Sequence, residues 1–463
     1  MTDDIFVLLP GITGSVLQKD GKDVFGLTAS AGLRALFSAG RSIADLKVDL
    51  QASPGQRPHD GVTAARVAPD AHLIPGLWKI DGYGKVGGYL TKRLKAVPGE
   101  SYFEFPYDWR LDNRIAAADL RDAIDKWLGV RRQSRPGAQA VLVAHSMGGL
   151  VSRYYLEVFG GWRNTRALIT FGTPHRGSLN ALSFLATGVG KVFGLVDLTD
   201  LVRSFPSIHQ LLPIYRCVDA GDGRASYLTE VADRVPGLDA EAVRAARAFH
   251  QEIEDAVAVN RQLGEYLERG YRLQSVVGIE QPTKQSAVLG PNGLRMLETH
   301  LGTDHGGDGT VPRVSASPME AKDDSTAMFA GTRHSSLQNT DAVLTQLRGW
   351  SSGVDLTDFR AGAPVRLSVD LDDVYAAGEP LTVTVTPSQA TAEIWYRLEQ
   401  LSTAEGGSDS AMASMPPMRG AVRASDGPTE LEIAAPGPGL YRVTLGGGAE
   451  VEPVSDLVVV APW

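Results

Sequence analysis

Residues 140–150, AVLVAHSMGGL, carry the decision about this chain. Five apolar or small residues, Ala140 to Ala144, read as a buried strand. His145 and Ser146 follow, then Met147 and Gly148, and the next residues, GLVSRYYLE, read as a helix. A serine on so sharp a strand-to-helix turn is lifted clear of the sheet, and the next backbone N–H lies beside it. The pattern G-x-S-x-G is incomplete, because Ala144 stands where the first glycine is expected. One methyl is a mild departure, and Gly148 keeps the second crowded position free. Ser146 is therefore the candidate nucleophile, with an ordinary Gly-rich turn as the alternative.

A serine hydroxyl attacks only if a base removes its proton and donors meet the oxyanion it creates. Upstream, IFVLL at residues 5–9 reads as a strand running directly into Pro10-Gly11-Ile12-Thr13-Gly14. An early strand-to-loop junction of this kind can offer the Ile12 N–H as one oxyanion donor, with Met147 as the other. Downstream, GGDGTVP places Asp308 between glycines, 162 residues beyond the serine (308 − 146). His334 lies 26 residues further (334 − 308), in GTRHSSLQNT, ahead of an amphipathic run. The order serine, acid, histidine is the one this kind of fold requires.

The rest of the first 352 residues agrees. Residues 114–128 hold Ala117, Leu120, Ile124, Trp127 and Leu128 on one helical face, and 167–171 (ALITF) and 272–279 read as further strands. Strands alternating with helices predict an α/β domain over 1–352, a mostly parallel sheet covered on both faces. The segment at about 176–270 breaks the rhythm and reads as a helical cap or lid. Beyond residue 352 strict alternation takes over, for example Val365, Leu367, Val369 and Leu371. About seven short strands there predict an Ig-like antiparallel β-sandwich over 354–463.

Composition narrows the function. A net charge of −9 argues against nucleic acid as a partner, since phosphates demand a basic footprint. The same acidity means that contact with a membrane surface would have to be hydrophobic. Cys217 is the only cysteine, so neither a disulfide within the chain nor a multi-cysteine metal site can form. With MTDDIFVLLPG unlike a secretory leader, the expected location is cytoplasmic. His300, Asp304, His305 and Asp308 lack helical ligand spacing and are not read as a metal site, and no cofactor is expected. Residues 82–87, GYGKVG, match G-x-G-x-x-G literally but lack a framing βαβ unit, so a dinucleotide site is not expected. His145 is read as packing beside the site. His175, Trp78, Trp109 and the apolar stretch 182–196 are candidates for lining it.

Taken in order, PGITGS, PYDWR (106–110), AHSMGGLVSRYYLE, FGTPHRGS, RSFPSIHQLLP (203–213), GDGTVP and RHSSL resemble the lecithin:cholesterol acyltransferase family of α/β-hydrolases. The resemblance implies an α/β-hydrolase with Ser146 as nucleophile, His334 as base and Asp308 orienting it, and Ile12 and Met147 as oxyanion donors. It implies a lipid or other acyl-ester substrate and an esterase, phospholipase or acyltransferase reaction. The C-terminal domain has no counterpart in that family's core. Two roles are open to it: delivering the enzyme to a protein or surface partner, or acting as the working module beside a degenerate scaffold.

Overall fold

The computed structural model describes residues 3–25, 46–48, 55–68, 71–74, 78–189, 191–192, 196–321, 327–352, 365–391, 393–403, 417–423, 427–448 and 451–462. Six parallel strands form the central sheet: β1 (Ile5–Leu9), β2 (Tyr102–Glu104), β3 (Ala140–His145), β4 (Thr165–Phe171), β5 (Arg272–Gly278) and β6 (Met328–Ala330). Their order is β6-β5-β4-β3-β1-β2, and every neighbouring pair is parallel. Alternate side chains feed two separate cores, as a sheet covered on both faces requires. Ile5, Val7, Leu9, Ala140, Leu142, Ala144 and Leu168 face one core. Phe6, Leu8, Val141, Val143, Ala167, Ile169 and Phe171 face the other.

Helices close both faces. The first core is covered by α2 (Asn113–Arg131) through Ala117, Leu120, Ile124 and Leu128, and by α3 (Met147–Glu157). The second takes Val86 and Leu90 from α1 (Gly84–Lys92), and Val343, Leu344 and Leu347 from α6 (Asp341–Ser352). Between β4 and β5, over the stretch where a cap is expected, the chain inserts a segment that includes α4 (Leu179–Thr187) and α5 (Ala240–Asn260). The hairpin Ser286–Gly290 and Gly293–Leu297 joins Val218–Asp219 and Ala225–Ser226 in one four-stranded sheet. Alternating sequence alone does not tell which short strands share a sheet.

After α6 the described chain resumes in two sheets around one apolar core that includes Leu367, Val383, Ile433, Val443 and Val458. One sheet has three strands and the other five. Among the described residues the pairing is antiparallel except that Val374–Ala376 lies parallel to Val454–Ala461 and an isolated parallel bridge joins Val365 to Val451, a correction to the all-antiparallel expectation.

Candidate active site

Strand β3 delivers Ser146 at the edge of its C-terminal end, with φ 51° and ψ −125°. A non-glycine residue rarely adopts positive φ, and such strain persists only where the surroundings over-determine it. Here the Ser146 N–H donates to the Phe171 carbonyl at 2.8 Å. The Ser146 carbonyl accepts from the Gly149 N–H at 3.0 Å and the Thr173 hydroxyl at 2.9 Å. The two glycines after the serine are obligatory. A Cβ on Gly148 would lie 2.5 Å from the Pro10 carbonyl, and one on Gly149 would lie 2.1 Å from Thr173 Oγ1. Ala144 is fully buried, and its methyl joins the first core, so the departure at the elbow is absorbed by packing.

His334 Nε2 lies 3.0 Å from Ser146 Oγ, and His334 Nδ1 lies 2.7 Å from Asp308 Oδ2. Carboxylate oxygens accept, so Nδ1 carries the proton and Nε2 of the neutral ring presents its lone pair to the serine. Asp308 is held on its other side by the N–H groups of Thr310 and Val311, at 2.9 and 2.7 Å to Oδ1. Its carbonyl also accepts the His334 N–H at 2.8 Å, so one residue fixes both backbone and ring of the histidine. Two glycines make the approach possible. A Cβ on Gly278 would sit 2.2 Å from Asp308 Cβ, and one on Gly172 (φ +54°) would lie 2.7 Å from Asp308 Oδ2 and 2.8 Å from His334 Nδ1.

A second chain of hydrogen bonds runs behind the serine. His145 Nε2 lies 3.0 Å from the His334 carbonyl, which can only accept, so that nitrogen donates. His145 Nδ1 then accepts from the Tyr83 hydroxyl at 2.9 Å, and the same hydroxyl oxygen accepts the Gly11 N–H at 2.7 Å. Burial, reinforced by His334, pushes the His145 imidazole down to about 3, so the ring stays neutral and the direction of the chain is fixed. Tyr83 thereby links the loop of Ile12 to the turn of His334. Tyr83 belongs to GYGKVG, where the sequence shows a helix start and nothing more. The signal that could have found it is a tyrosine at a helix start with its partner histidine adjacent to the nucleophile. The amides of Ile12 and Met147 have no hydrogen-bond partner among the described residues.

Ser146, His334 and Asp308 line a cavity of about 240 Å³. Its apolar wall includes Ala181, Phe184, Ile208 and Leu211, and Leu371, Asp373 and Asp456 reach it from the C-terminal sheets. Of the stretch 182–196, Phe184 lines the cavity, while residues 190 and 193–195 lie outside the described residues. The other pocket candidates fare differently. Trp109 is buried in the first core, its ring edge-on to Phe25 and Phe205 and its Nε1–H donating to the Ser15 carbonyl at 3.1 Å. His175 lines a separate small cleft with Arg153, His250 and Glu320. The backbone of Trp78 is in the strand Trp78–Ile80, and its side chain lies outside the described residues. His300 accepts no role here: its Nε2 donates to the Arg216 carbonyl at 2.9 Å, and Asp304 receives the Gln285 amide at 2.5 Å.

An all-parallel sheet, a serine on a strained strand–helix elbow and a histidine–carboxylate pair beside it define an α/β-hydrolase. Over residues 93–291 this chain matches the lecithin:cholesterol acyltransferase family model, so the resemblance seen in the motifs holds across that span. The span includes Ser146 and ends before Asp308 and His334. Human lysosomal phospholipase A and acyltransferase is 30% identical over 143 residues, covering 28% of this chain and 34% of that protein. The mouse protein of the same description is 29% identical over the same length. The chain thus spans about a third of the length of the curated relatives it matches. Among solved structures, the mature lipase BlEst2 of Bacillus licheniformis is similar at 13% identity and a TM-score of 0.31, covering 75% of this chain and 91% of that one. Phospholipase PlaB of Legionella pneumophila gives 7% identity and a TM-score of 0.29, covering 98% and 90%.

Proposed function

We propose that this protein is a serine hydrolase acting on lipid carboxylic esters, of the phospholipase A or O-acyltransferase type. The observation that carries this reading is the continuous Ser146–His334–Asp308 hydrogen-bond chain; the amides of Ile12 and Met147, without a hydrogen-bond partner among the described residues, are the oxyanion donors in this reading. As Ser146 Oγ attacks the ester carbonyl, its proton passes to His334 Nε2, and Asp308 stabilises the ring in its charged form. The two amides receive the oxyanion. Collapse breaks the bond to the alcohol, which leaves with the proton from His334. Water or an acceptor alcohol then gives its proton to the same nitrogen and takes the acyl group, and His334 returns that proton to Ser146 Oγ as the serine leaves. Support for a lipid substrate comes from the family match and from the apolar wall of Phe184, Ile208 and Leu211. We read the C-terminal sheets as an Ig-like β-sandwich that forms part of this site, and the reducing cytoplasm as the setting, on the strength of the lone buried Cys217.

A fluorophosphonate probe tests the reading. The protein should be labelled, and Ser146→Ala should abolish the label; labelling that survives the substitution refutes it. Asp308→Asn should leave the thermal transition in place and lower ester turnover by about 10⁴-fold, because the amide favours the wrong tautomer of His334.

A further inference from the structure

Six side chains lining the cavity carry formal charge: Lys79, Lys284, Arg333, Asp308, Asp373 and Asp456. Five of them are accounted for. Lys79 Nζ is 2.7 Å from Asp373 and 3.0 Å from Asp456, Arg333 Nε is 3.5 Å from Asp456, and Asp308 holds His334. Lys284 differs. Its ammonium has one weak polar contact, Ser183 Oγ at 3.5 Å, and no carboxylate within ion-pair distance among the described residues. Burial lowers its affinity for the proton, and Glu298 offsets this only from a distance.

The backbone that carries Lys284 is fixed. Thr283 Oγ1 accepts the Gly309 N–H at 2.8 Å, next to Asp308, and the Gln285 side chain is bonded to the Glu298 carbonyl at 2.7 Å. The lysine therefore stands at a set place in the same cavity as Ser146, beside the apolar wall formed by Ala181, Phe184, Ile208 and Leu211. A partly desolvated cation with no carboxylate at ion-pair distance costs stability, and that cost is recovered when an anion binds. A single cation beside an apolar trough suits an amphiphile whose acyl chain lies on the wall and whose anionic group lies beyond the ester. A phosphodiester meets that need, because it keeps one negative charge at every pH where an imidazole base works.

Building on the esterase reading above, we propose that Lys284 is a specificity residue that binds the phosphodiester of a glycerophospholipid acyl donor. The test compares phosphatidylcholine with diacylglycerol of the same chains, both in neutral detergent micelles. Lys284→Gln should lower kcat/KM for phosphatidylcholine by about ten- to hundredfold, the size of one charge-assisted hydrogen bond. Turnover of diacylglycerol should change by less than about threefold, and Lys284→Arg should restore most of the lost activity. An equal loss on both substrates, or no loss on either, overturns the assignment. Wild-type protein that turns over neither ester fails earlier and overturns the esterase reading itself.

Discussion

Tyr83 shows how much one hydroxyl can hold. It accepts the Gly11 N–H, which orients the loop of Ile12, and donates to His145, which in turn holds the carbonyl of His334. Tyr83→Phe leaves the buried Gly11 N–H unpaired, which costs about 1–3 kcal/mol of stability. It should also lower kcat for a soluble ester by about tenfold with KM little changed, because the proposed oxyanion loop and the proposed base lose their common support. A kcat within error of wild type would make the tyrosine a packing residue. His145, His175 and His250 are all buried and held below their usual range, His145 to about 3 and His250 to about 4, with desolvation the first cause in each. Their folded forms are neutral, whereas the unfolded chain takes up these protons near 6.5. Stability is thus full above that value and is lost progressively as pH falls from it towards the lower folded-state values. Urea unfolding should show a falling midpoint below about pH 6.5, and His250→Gln should reduce the proton uptake on unfolding by about one.

At the scale of elements, the site depends on where strands end rather than on which side chains they carry. Gly172 closes β4 at φ +54° and lies directly under the Asp308–His334 pair. Gly172→Ala would drive a methyl to within 3 Å of both groups and strain the backbone as well. Esterase turnover should fall by at least about a hundredfold, while an Asp308-to-His334 hydrogen bond seen by proton NMR should be lost or displaced. Retained turnover would mean that the turn can shift without moving the triad. That Ser146, Asp308 and His334 come together was legible from sequence because each sits in a recognisable loop segment, AHSMGG, GGDGTVP and GTRHSSL, in the chain order that such a sheet allows. Trp109 could be read as a pocket or a core residue: PYDWR marks its position in the chain, but its direction is set by Phe25 and Phe205, far away in sequence, and they hold it in the core. Tyr83 was missed for the same reason, since its partners lie at Gly11 and His145.

On the scale of the whole molecule, the C-terminal sheets look separable in sequence, with their own alternation and their own core. Their contacts say otherwise. The Gln281 side chain donates to the carbonyls of Gly331 and Leu367, both at 2.8 Å, and accepts the Val369 N–H at 3.2 Å. Its backbone N–H donates to Gly307, one residue before Asp308. Arg333, next to the candidate base, bonds the Val369 carbonyl and faces Asp456, while Arg442 Nε reaches Asp81 at 2.9 Å. Asp456 is fully buried; desolvation would raise its pKa, but Lys79 and Arg333 prevail and keep it below the usual carboxylate range. Breaking such a pair from one side leaves charge stranded, so Asp456→Asn should cost about 3 kcal/mol and slow turnover by loosening Arg333. A chain ending at Ser352 should lose activity on a water-soluble ester as severely as on lipid, since Leu371, Asp373 and Asp456 leave the cavity with the domain. If the shortened chain folded and kept full activity on the soluble ester while losing it on lipid vesicles, the domain would be a carrier to a surface. Equal loss on both substrates, with a folded core confirmed by circular dichroism, makes it a wall of the active site.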